Sequence, residues 1–448
     1  MGDAEGEERF RSDGPACEQY GGLGKEWKPA IERLGELRGI GPVEDDANGS
    51  GVIVVNHVDD GSIEVLVDER WGGHAQTARC RHQRHRLSLL GFGADRMLDE
   101  YAPYRMIMRM LRTAVVGASG FTGAELLRII DVHPELSLEV ATADASVGAL
   151  ISEIHPALAV AHHGAVFSSV DVETLAEMDL VFLCLPHEAS LELVPQLIDR
   201  ARCVVDLSAA FRLRDISAYP SYYGFEHSHP ELVERAVYGL PEVYRAELAG
   251  ARLIATPGCY VTAAVLALRP LVSAGLIADR GIIVDAASGV TGAGRRSEHA
   301  YSFTTIDESM TAYGLVNHRH TPEMEQEIGA ELLFTPHLVP MKRGILATCY
   351  AEPVADDLSE ESVLEALHEA YRDEPFVIVD RAIPATGSTA GSNAVHITAR
   401  LDPRTGRVIV VSAIDNLAKG ASGGAVQAAN VALGIPETAG LSRIGVAP

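Results

Sequence analysis

The sequence predicts an α/β fold: a Rossmann-type doubly wound parallel sheet, followed by a second, α+β domain of largely antiparallel sheet. Three observations carry this. From Leu111 onward, short apolar runs alternate with amphipathic helical stretches, as a parallel α/β sheet requires. The first of those runs is followed at once by the glycine turn Gly117-Ala-Ser-Gly-Phe-Thr-Gly123 and the helical stretch Ala124-Glu-Leu-Leu-Arg-Ile-Ile130. Beyond Cys259 the runs lengthen and alternate residue by residue.

Taken in order, the parallel-sheet strands are expected at residues 112–116, 136–141, 180–185, 203–207 and 252–255. The later runs 394–401 and 407–414, joined through Asp402-Pro-Arg-Thr-Gly406, read as an antiparallel hairpin. The chain then passes through the glycine-rich stretch Asp415–Gly424 into a helix of small residues ending near Leu433, suited to close packing against the first domain. This divides the chain into 1–109, 110–258 (dinucleotide-binding), 259–414 (the second domain) and 415–448 (a returning loop and helix).

Residues 1–109 differ from the rest. They are acidic and glycine-punctuated, hold Trp27 and Trp71, and include the basic run Arg79-Cys-Arg-His-Gln-Arg-His-Arg86. Only 51–56 and 62–67 look like strands, a hairpin turning at Asp59-Asp-Gly61. The segment is read as a poorly ordered extension, or one translated from upstream of a start at Met106, Met108 or Met110; a small accessory domain is the competing reading.

Composition excludes some functions. A formal net charge of -25 is the wrong sign for a nucleic-acid partner. No stretch approaches the length of a membrane helix, and the acidic start lacks the basic residues of a signal peptide. Six cysteines without close, even spacing fit a reducing cytoplasm rather than a disulfide framework.

Four features carry chemistry. A strand, a glycine turn and a helix in that order set backbone N–H groups and a helix N-terminus against a phosphate, which nominates Gly117, Ser119, Gly120, Thr122 and Gly123 for a dinucleotide. Asp144, about twenty residues on, is placed to read a ribose and favours NAD over NADP; capping a turn is its competing reading. Cys259 stands where a strand turns through Thr256-Pro-Gly258 into an apolar helix. A thiol at a helix N-terminus is expected to have a lowered pKa and to act as a nucleophile, whereas Cys184 and Cys203, inside apolar runs, read as packed residues.

His318 and His320 alternate about Arg319, and in an extended segment both face one way. One can serve the thiol as acid or base, and Arg319 is available for a phosphate or carboxylate. The Thr321-Pro-Glu323 that follows reads as a helix start, and a zinc site is the rival reading of the histidines. The last feature is the loop Ala287-Ser-Gly-Val-Thr-Gly-Ala-Gly-Arg-Arg296, whose N–H, hydroxyl and arginine donors suit an anionic substrate; a plain flexible connection is the alternative.

Seven motifs follow one another along the chain: Gly-Ala-Ser-Gly-Phe-Thr-Gly (117 to 123), Asp-Leu-Ser-Ala-Ala-Phe-Arg-Leu (206 to 213), Tyr-Gly-Leu-Pro-Glu (238 to 242), Pro-Gly-Cys-Tyr (257 to 260), His-Arg-His-Thr-Pro-Glu (318 to 323), Arg-Gly-Ile-Leu-Ala-Thr (343 to 348) and Asp-Asn-Leu-Ala-Lys-Gly (415 to 420). From about residue 111 to the end, the chain resembles the N-acetyl-gamma-glutamyl-phosphate reductases of arginine biosynthesis. The resemblance implies an NADPH-dependent acyl-phosphate reductase of the semialdehyde dehydrogenase type, in which 259–414 is a catalytic and oligomerisation domain and the protein a homo-oligomer, dimer or tetramer, acting on a small molecule.

By motif position it implies Cys259 as nucleophile, His318 as acid/base with His320 the weaker candidate, and Arg212, Ser288, Gly289 and Arg295 at the substrate. Asn416 is counted with the cofactor-binding residues; no metal is implied. NAD stays open because of Asp144. An aminoadipyl-phosphate reductase acting on a carrier-linked substrate, aspartate-semialdehyde dehydrogenase and a non-catalytic nucleotide sensor are the alternatives. Three departures from the family pattern stand out: Val261 replaces a proline, Ala210 an aspartate and Glu188 a glycine. The second means that any carboxylate orienting Arg212 must come from elsewhere, and the third predicts crowding at the cofactor edge.

Overall fold

The computed structural model describes residues 110–446 apart from 296 and 297, together with six strands from the preceding segment. The chain divides into two units, Met1–Arg109 and Met110–Pro448. In the first unit β1 (Ile53–His57), β2 (Ser62–Glu69), β3 (His74–Gln83), β4 (Arg86–Leu89), β5 (Phe92–Gly93) and β6 (Met106–Met108) form one sheet in the order β5-β4-β3-β2-β1-β6. The expected hairpin is the antiparallel β1–β2 pair. β3 went unseen because its sequence, HAQTARCRHQ, has no apolar alternation. Trp27, Trp71, the turn at 59–61 and the side chains of the basic run lie outside the described residues.

The second unit opens with the doubly wound sheet. Its strands are β7 (Leu111–Val116), β8 (Leu136–Ala141), β9 (Leu180–Leu183), β10 (Cys203–Asp206), β11 (Val237–Tyr238) and β12 (Leu253–Ala255), in the order β11-β12-β10-β9-β7-β8. Every pairing is parallel. Alternation along β7 sends Val115 into one core and Ala114 and Val116 into the other, because successive side chains of a strand face opposite ways. The chain winds one way from β7 to β8 and the other way through β9 and β10. The crevice at the carboxyl ends of β7 and β9 is therefore the switch point, where open α/β sheets bind ligands. Two helices start there: α1 (Phe121–Asp131) after β7, and α2 (His187–Leu197) after β9.

The second sheet has the order β14-β15-β13-β16-β19-β18-β17. Its members are β13 (Ile282–Gly289), β14 (Thr311–Ala312), β15 (Leu332–Val339), β16 (Ile345–Ala351), β17 (Val377–Val379), β18 (Val395–Asp402) and β19 (Arg407–Ile414). β13 pairs parallel with β15, and β17 with β18; the other pairings are antiparallel. The β18–β19 hairpin forms as expected, running from Val395 opposite Ile414 to Asp402 opposite Arg407.

One face of this sheet is covered by α3 (Cys259–Ser273), α4 (Thr321–Ile328) and α5 (Glu360–Ala370), whose apolar residues share a core with Val284, Phe334, Ala347 and Val410. From β19 the chain makes a π-helical turn, Ala418–Ser422, into α6 (Gly423–Leu433). Ala425, Val426 and Ala429 of α6 lie in the core of the first sheet with Val115 and Phe182.

Candidate active site

Cys259 is the first residue of α3, and Gly258 is its N-cap, with φ -67 and ψ 146. No side chain caps that end, so the first N–H groups of the helix are left for a ligand oxygen. The turn before it is held by a carboxylate that the sequence did not single out. Glu323 Oε1 accepts from Gly258 N–H at 2.9 Å and from Tyr238 O–H at 2.7 Å. Its Oε2 lies 3.4 Å from Arg212 Nη1. Glu323 is fully buried and Arg212 is 7% exposed.

This is the carboxylate that Ala210 does not supply. It reaches Arg212 from the first turn of α4, the helix that starts at Thr321 with proline in its first turn, as the sequence predicts. The helix start is what puts Glu323 there: its position one turn in points the carboxylate back at the chain entering α3.

The cavity in front of Cys259 is small, about 180 Å³, and is lined by Thr122, Arg212, Arg319, His320 and Asn416, among others. A residue of the glycine loop and the thiol thus share one space. The structure separates the two histidines. His320, not His318, lines this cavity, and a Cβ built on Gly258 would lie 2.6 Å from His320 Nε2. Only glycine lets the ring sit there.

His318 lies one layer back, its ring edge-on to Phe334 at 5.0 Å, to Tyr313 at 5.5 Å and to Tyr260 at 5.8 Å. Its Nδ1 accepts from His320 N–H at 3.1 Å. The physical reason is that 315–320 is a turn, not an extended run, so the two rings do not face one way. They meet edge to face at 4.9 Å.

The electrostatics also differ from expectation. Burial pushes the Cys259 thiol up, and this outweighs the Tyr260 N–H and the Arg212 and Arg319 charges, which pull it down. The helix terminus therefore lowers the pKa less than desolvation raises it. Burial, with the nearby His318 and Arg212, holds His320 well below the usual imidazole range. The cavity thus holds a neutral thiol and a neutral imidazole. Cys203 and Cys349 are sealed in strands and pushed up to about 12, in both cases chiefly by burial.

Among the expected substrate contacts, Arg212 faces the cavity, while Ser288 and Gly289 do not line it. Both are buried at the end of β13, where the Ser288 hydroxyl donates to Gly289 C=O at 3.1 Å and Gly289 packs on the Lys342 backbone. The residues just beyond them, Thr291 and Gly292, are the ones that line the cavity. Arg295 is exposed and donates through Nη1 to Ser119 C=O at 3.1 Å. It follows the turn Val290–Ala293 and reaches the glycine loop, and it does not line the cavity.

In that loop Gly117 has φ +78, and a Cβ there would meet Cys184 C=O at 2.4 Å; a Cβ on Gly123 would meet Ala118 Cα at 2.5 Å. Gly120 caps α1 without a side chain. A glycine-lined helix N-terminus of this kind fits a pyrophosphate. Asn416 ties three segments together: its Oδ1 accepts from Gly344 N–H at 2.8 Å and its Nδ2 donates to Thr291 Oγ1 at 3.0 Å.

Of the departures, Val261 is fully buried among the apolar residues under the second sheet, and Glu188 is exposed in the first turn of α2, outside the cavity lining.

Two family models match this chain: the semialdehyde dehydrogenase NAD binding domain over residues 112–251, and the semialdehyde dehydrogenase dimerisation domain over 259–416. The N-acetyl-gamma-glutamyl-phosphate reductase of Citrifermentans bemidjiense is 45% identical over 350 residues, 76% of this chain and 100% of that protein. The chain belongs to the N-acetyl-gamma-glutamyl-phosphate reductase family of semialdehyde dehydrogenases.

Solved members of the wider family share its fold. An aspartate semialdehyde dehydrogenase II from Vibrio cholerae, complexed with ASA, is 18% identical, with a TM-score of 0.54 over 72% of this chain and 98% of that one. Aspartate semialdehyde dehydrogenase with NADP from Candida albicans is 16% identical, with a TM-score of 0.53 over 72% and 98%. The protein is thus an oxidoreductase with a nicotinamide-dinucleotide domain, and the loop 117–123 opens that domain. Among the described residues no helix is long and apolar enough to cross a membrane.

Sequence reasoning missed His187, which lines the Cys259 cavity, and Glu323, which holds the turn in front of it. His187 had a signal: it follows Leu-Pro at the carboxyl end of β9, at the switch point.

Proposed function

We propose that this protein reduces N-acetyl-gamma-glutamyl phosphate to N-acetylglutamate semialdehyde, releasing phosphate, with NADPH as reductant, and that it works as a homo-oligomer in the cytoplasm. The observation that carries the reading is the shared cavity. It joins a thiol at a helix head, a neutral imidazole, a buried arginine and the dinucleotide loop. NADPH is taken from the family resemblance, and Asp144, exposed beyond β8, is the residue that argues for NADH. A dimer is supported by the description of the family model that matches 259–416.

In this mechanism His320 takes the Cys259 proton as sulfur attacks the acyl carbon. The C–S bond forms, the carbon–oxygen bond to the phosphoryl group breaks with its electron pair going to phosphate, and the proton passes from His320 to that leaving group. Arg212 balances the negative charge. The thioester oxygen points at the unfilled N–H groups that open α3, which stabilise the oxyanion formed in each half of the reaction. A bound nicotinamide supplies hydride to the thioester carbon. Collapse of the resulting hemithioacetal oxyanion releases the aldehyde and returns the thiolate, which is reprotonated.

The test is the reverse reaction: phosphate-dependent reduction of NADP or NAD with N-acetylglutamate semialdehyde, compared with aspartate semialdehyde. Activity confined to NADP and the acetylglutamyl aldehyde is expected. Turnover of aspartate semialdehyde in its place would overturn the substrate assignment, and substantial activity in Cys259→Ala would overturn covalent catalysis.

A further inference from the structure

One contact in the cavity is not satisfied as it stands. The Nδ1 of His187 accepts from Ala209 N–H at 3.0 Å. A neutral imidazole has one donor nitrogen and one acceptor, so Nε2 carries the hydrogen. That nitrogen lies 3.2 Å from Arg319 Nη1, which is a donor and never an acceptor. Two N–H groups therefore converge with no oxygen between them. The ring is held in this orientation by Tyr223, edge-on at 5.2 Å, and Arg319 by Tyr223 O–H, which donates to its backbone C=O at 2.9 Å. Beside them, Arg212 is buried with its Nη groups engaged by Glu323 and Leu207 C=O, while its Nε has no partner. Thr256 Oγ1, on a residue that also lines the cavity, is buried and unpartnered too.

We infer that the Nε2–H of His187 and the guanidinium of Arg319, with Arg212 Nε beside them, form the seat of the departing phosphoryl group, and that His187 makes the enzyme selective for an acyl phosphate. This rests on the proposed acyl-phosphate reaction. A phosphoryl oxygen placed between His187 and Arg319 satisfies both donors at once, as a charged acceptor does best. Both residues line the cavity that holds Cys259 and Arg212. Burial, followed by the charges of Arg319 and Arg212, pushes His187 down to about 3, so the ring remains a neutral donor throughout the working range. It adds a hydrogen bond without adding a charge that would hold the product.

Inorganic phosphate is the probe, as co-substrate of the reverse reaction and as a ligand alone. His187→Phe keeps the ring and removes the donor. It is expected to raise KM for phosphate by about tenfold to a hundredfold, the worth of one hydrogen bond to a charged group, with KM for the semialdehyde and Kd for the nucleotide changed less than about twofold. His187→Gln, which retains an N–H donor, should recover part of the loss. The unchanged nucleotide Kd shows that the variants fold.

As a readout independent of turnover, phosphate should protect Cys259 from iodoacetamide in the wild type, and should need about ten times the concentration in His187→Phe. An unchanged phosphate KM in an active His187→Phe enzyme would overturn the inference. So would phosphate competing with nucleotide rather than with the acyl phosphate, since the seat would then serve the cofactor. If the wild type fails to oxidise the semialdehyde but phosphate still protects Cys259 in a His187-dependent way, the proposed reaction fails and the anion seat stands.

Discussion

The protonation state of Cys259 gives the sharpest test of the site. Because burial pushes this thiol above its usual value, against the pull of Tyr260 N–H, Arg212 and Arg319, the free enzyme holds a thiol rather than a preformed thiolate at neutral pH. Alkylation proceeds through the thiolate. Below the pKa the thiolate fraction grows tenfold for each pH unit, so the iodoacetamide rate at Cys259 should climb about a thousandfold from about pH 6 to about pH 9 without levelling.

The sign follows from the direction of the shift. A raised thiol pKa moves the plateau to higher pH, whereas an ion pair with His320 would bring it below neutrality. The measurement is mass-spectrometric modification of Cys259 in the nucleotide-free, phosphate-free protein, with Cys203 and Cys349 as unreactive internal controls, since both are fully buried. Arg212→Met removes a cation that favours the thiolate and should slow the reaction further at every pH. A plateau reached below about pH 8 would refute the reasoning, because the helix terminus and the arginines would then outweigh desolvation.

Three other outcomes are expected. His320→Gln should lower kcat by about a hundredfold to ten-thousandfold, the usual worth of a general acid or base, and His318→Gln by less than about tenfold; initial rates with saturating substrates decide between them, and the reverse order would restore His318 as the catalytic histidine. Gly258→Ala drives a Cβ to 2.6 Å from His320 Nε2, so kcat should fall about a hundredfold from misplacement of the ring, while nucleotide Kd, read by fluorescence titration, stays put. Lys419→Met leaves Glu242 buried without its cation, 2.5 Å away in the wild type, and should cost about 3–5 kcal/mol; the denaturant midpoint should drop, and Lys419→Met with Glu242→Leu should regain much of it, a recovery whose absence would show that the pair is not coupled.

The parallel sheet was legible almost residue by residue, since 136–141 is a strand with those bounds and the others differ by one or two residues at their ends. Buried parallel strands are short uniform apolar runs, and such runs announce themselves. The two-residue strand β11 did not, because Val237–Tyr238 at the sheet edge has no pattern to read.

At the site the placing of Cys259 at a helix head was legible from a local signature, a turn into a helix. Which histidine lines the cavity was not legible, because it depends on whether 315–320 is extended or turned, and on the space above Gly258. The same limit explains Ser288. Alternation along β13 fixes that it is buried, but not that the cavity begins three residues later, at Thr291. Glu323 was visible only as the end of a motif and a helix start, since its partners lie 65 residues away at Gly258 and 85 away at Tyr238. Spacing along the chain carries no information about such contacts.

Those long-range contacts explain why motifs scattered from 117 to 420 converge on one place. Arg343, in the connection between β15 and β16, reaches Glu125 of α1 at 2.6 Å and Asp415 at 3.4 Å. Lys419 reaches Glu242 and also donates to Gln427 of α6 at 2.6 Å. Tyr238 and Arg212 from the first domain meet Glu323 from the second. The Arg343–Glu125, Arg212–Glu323 and Tyr238–Glu323 contacts join the two domains, and of these side chains all but Arg343 are buried. Such pairs contribute little net stability compared with apolar residues of the same volume, but removing one partner is costly, so they fix registry more than they add strength. The result is felt at Cys259 directly: the π-helical turn carrying Lys419 places Gly420 so close that a Cβ there would lie 2.8 Å from the Cys259 Cβ. The thiol is thus wedged between a turn tied to Glu323 and a turn tied to Glu242, and its aim depends on residues that never touch the substrate.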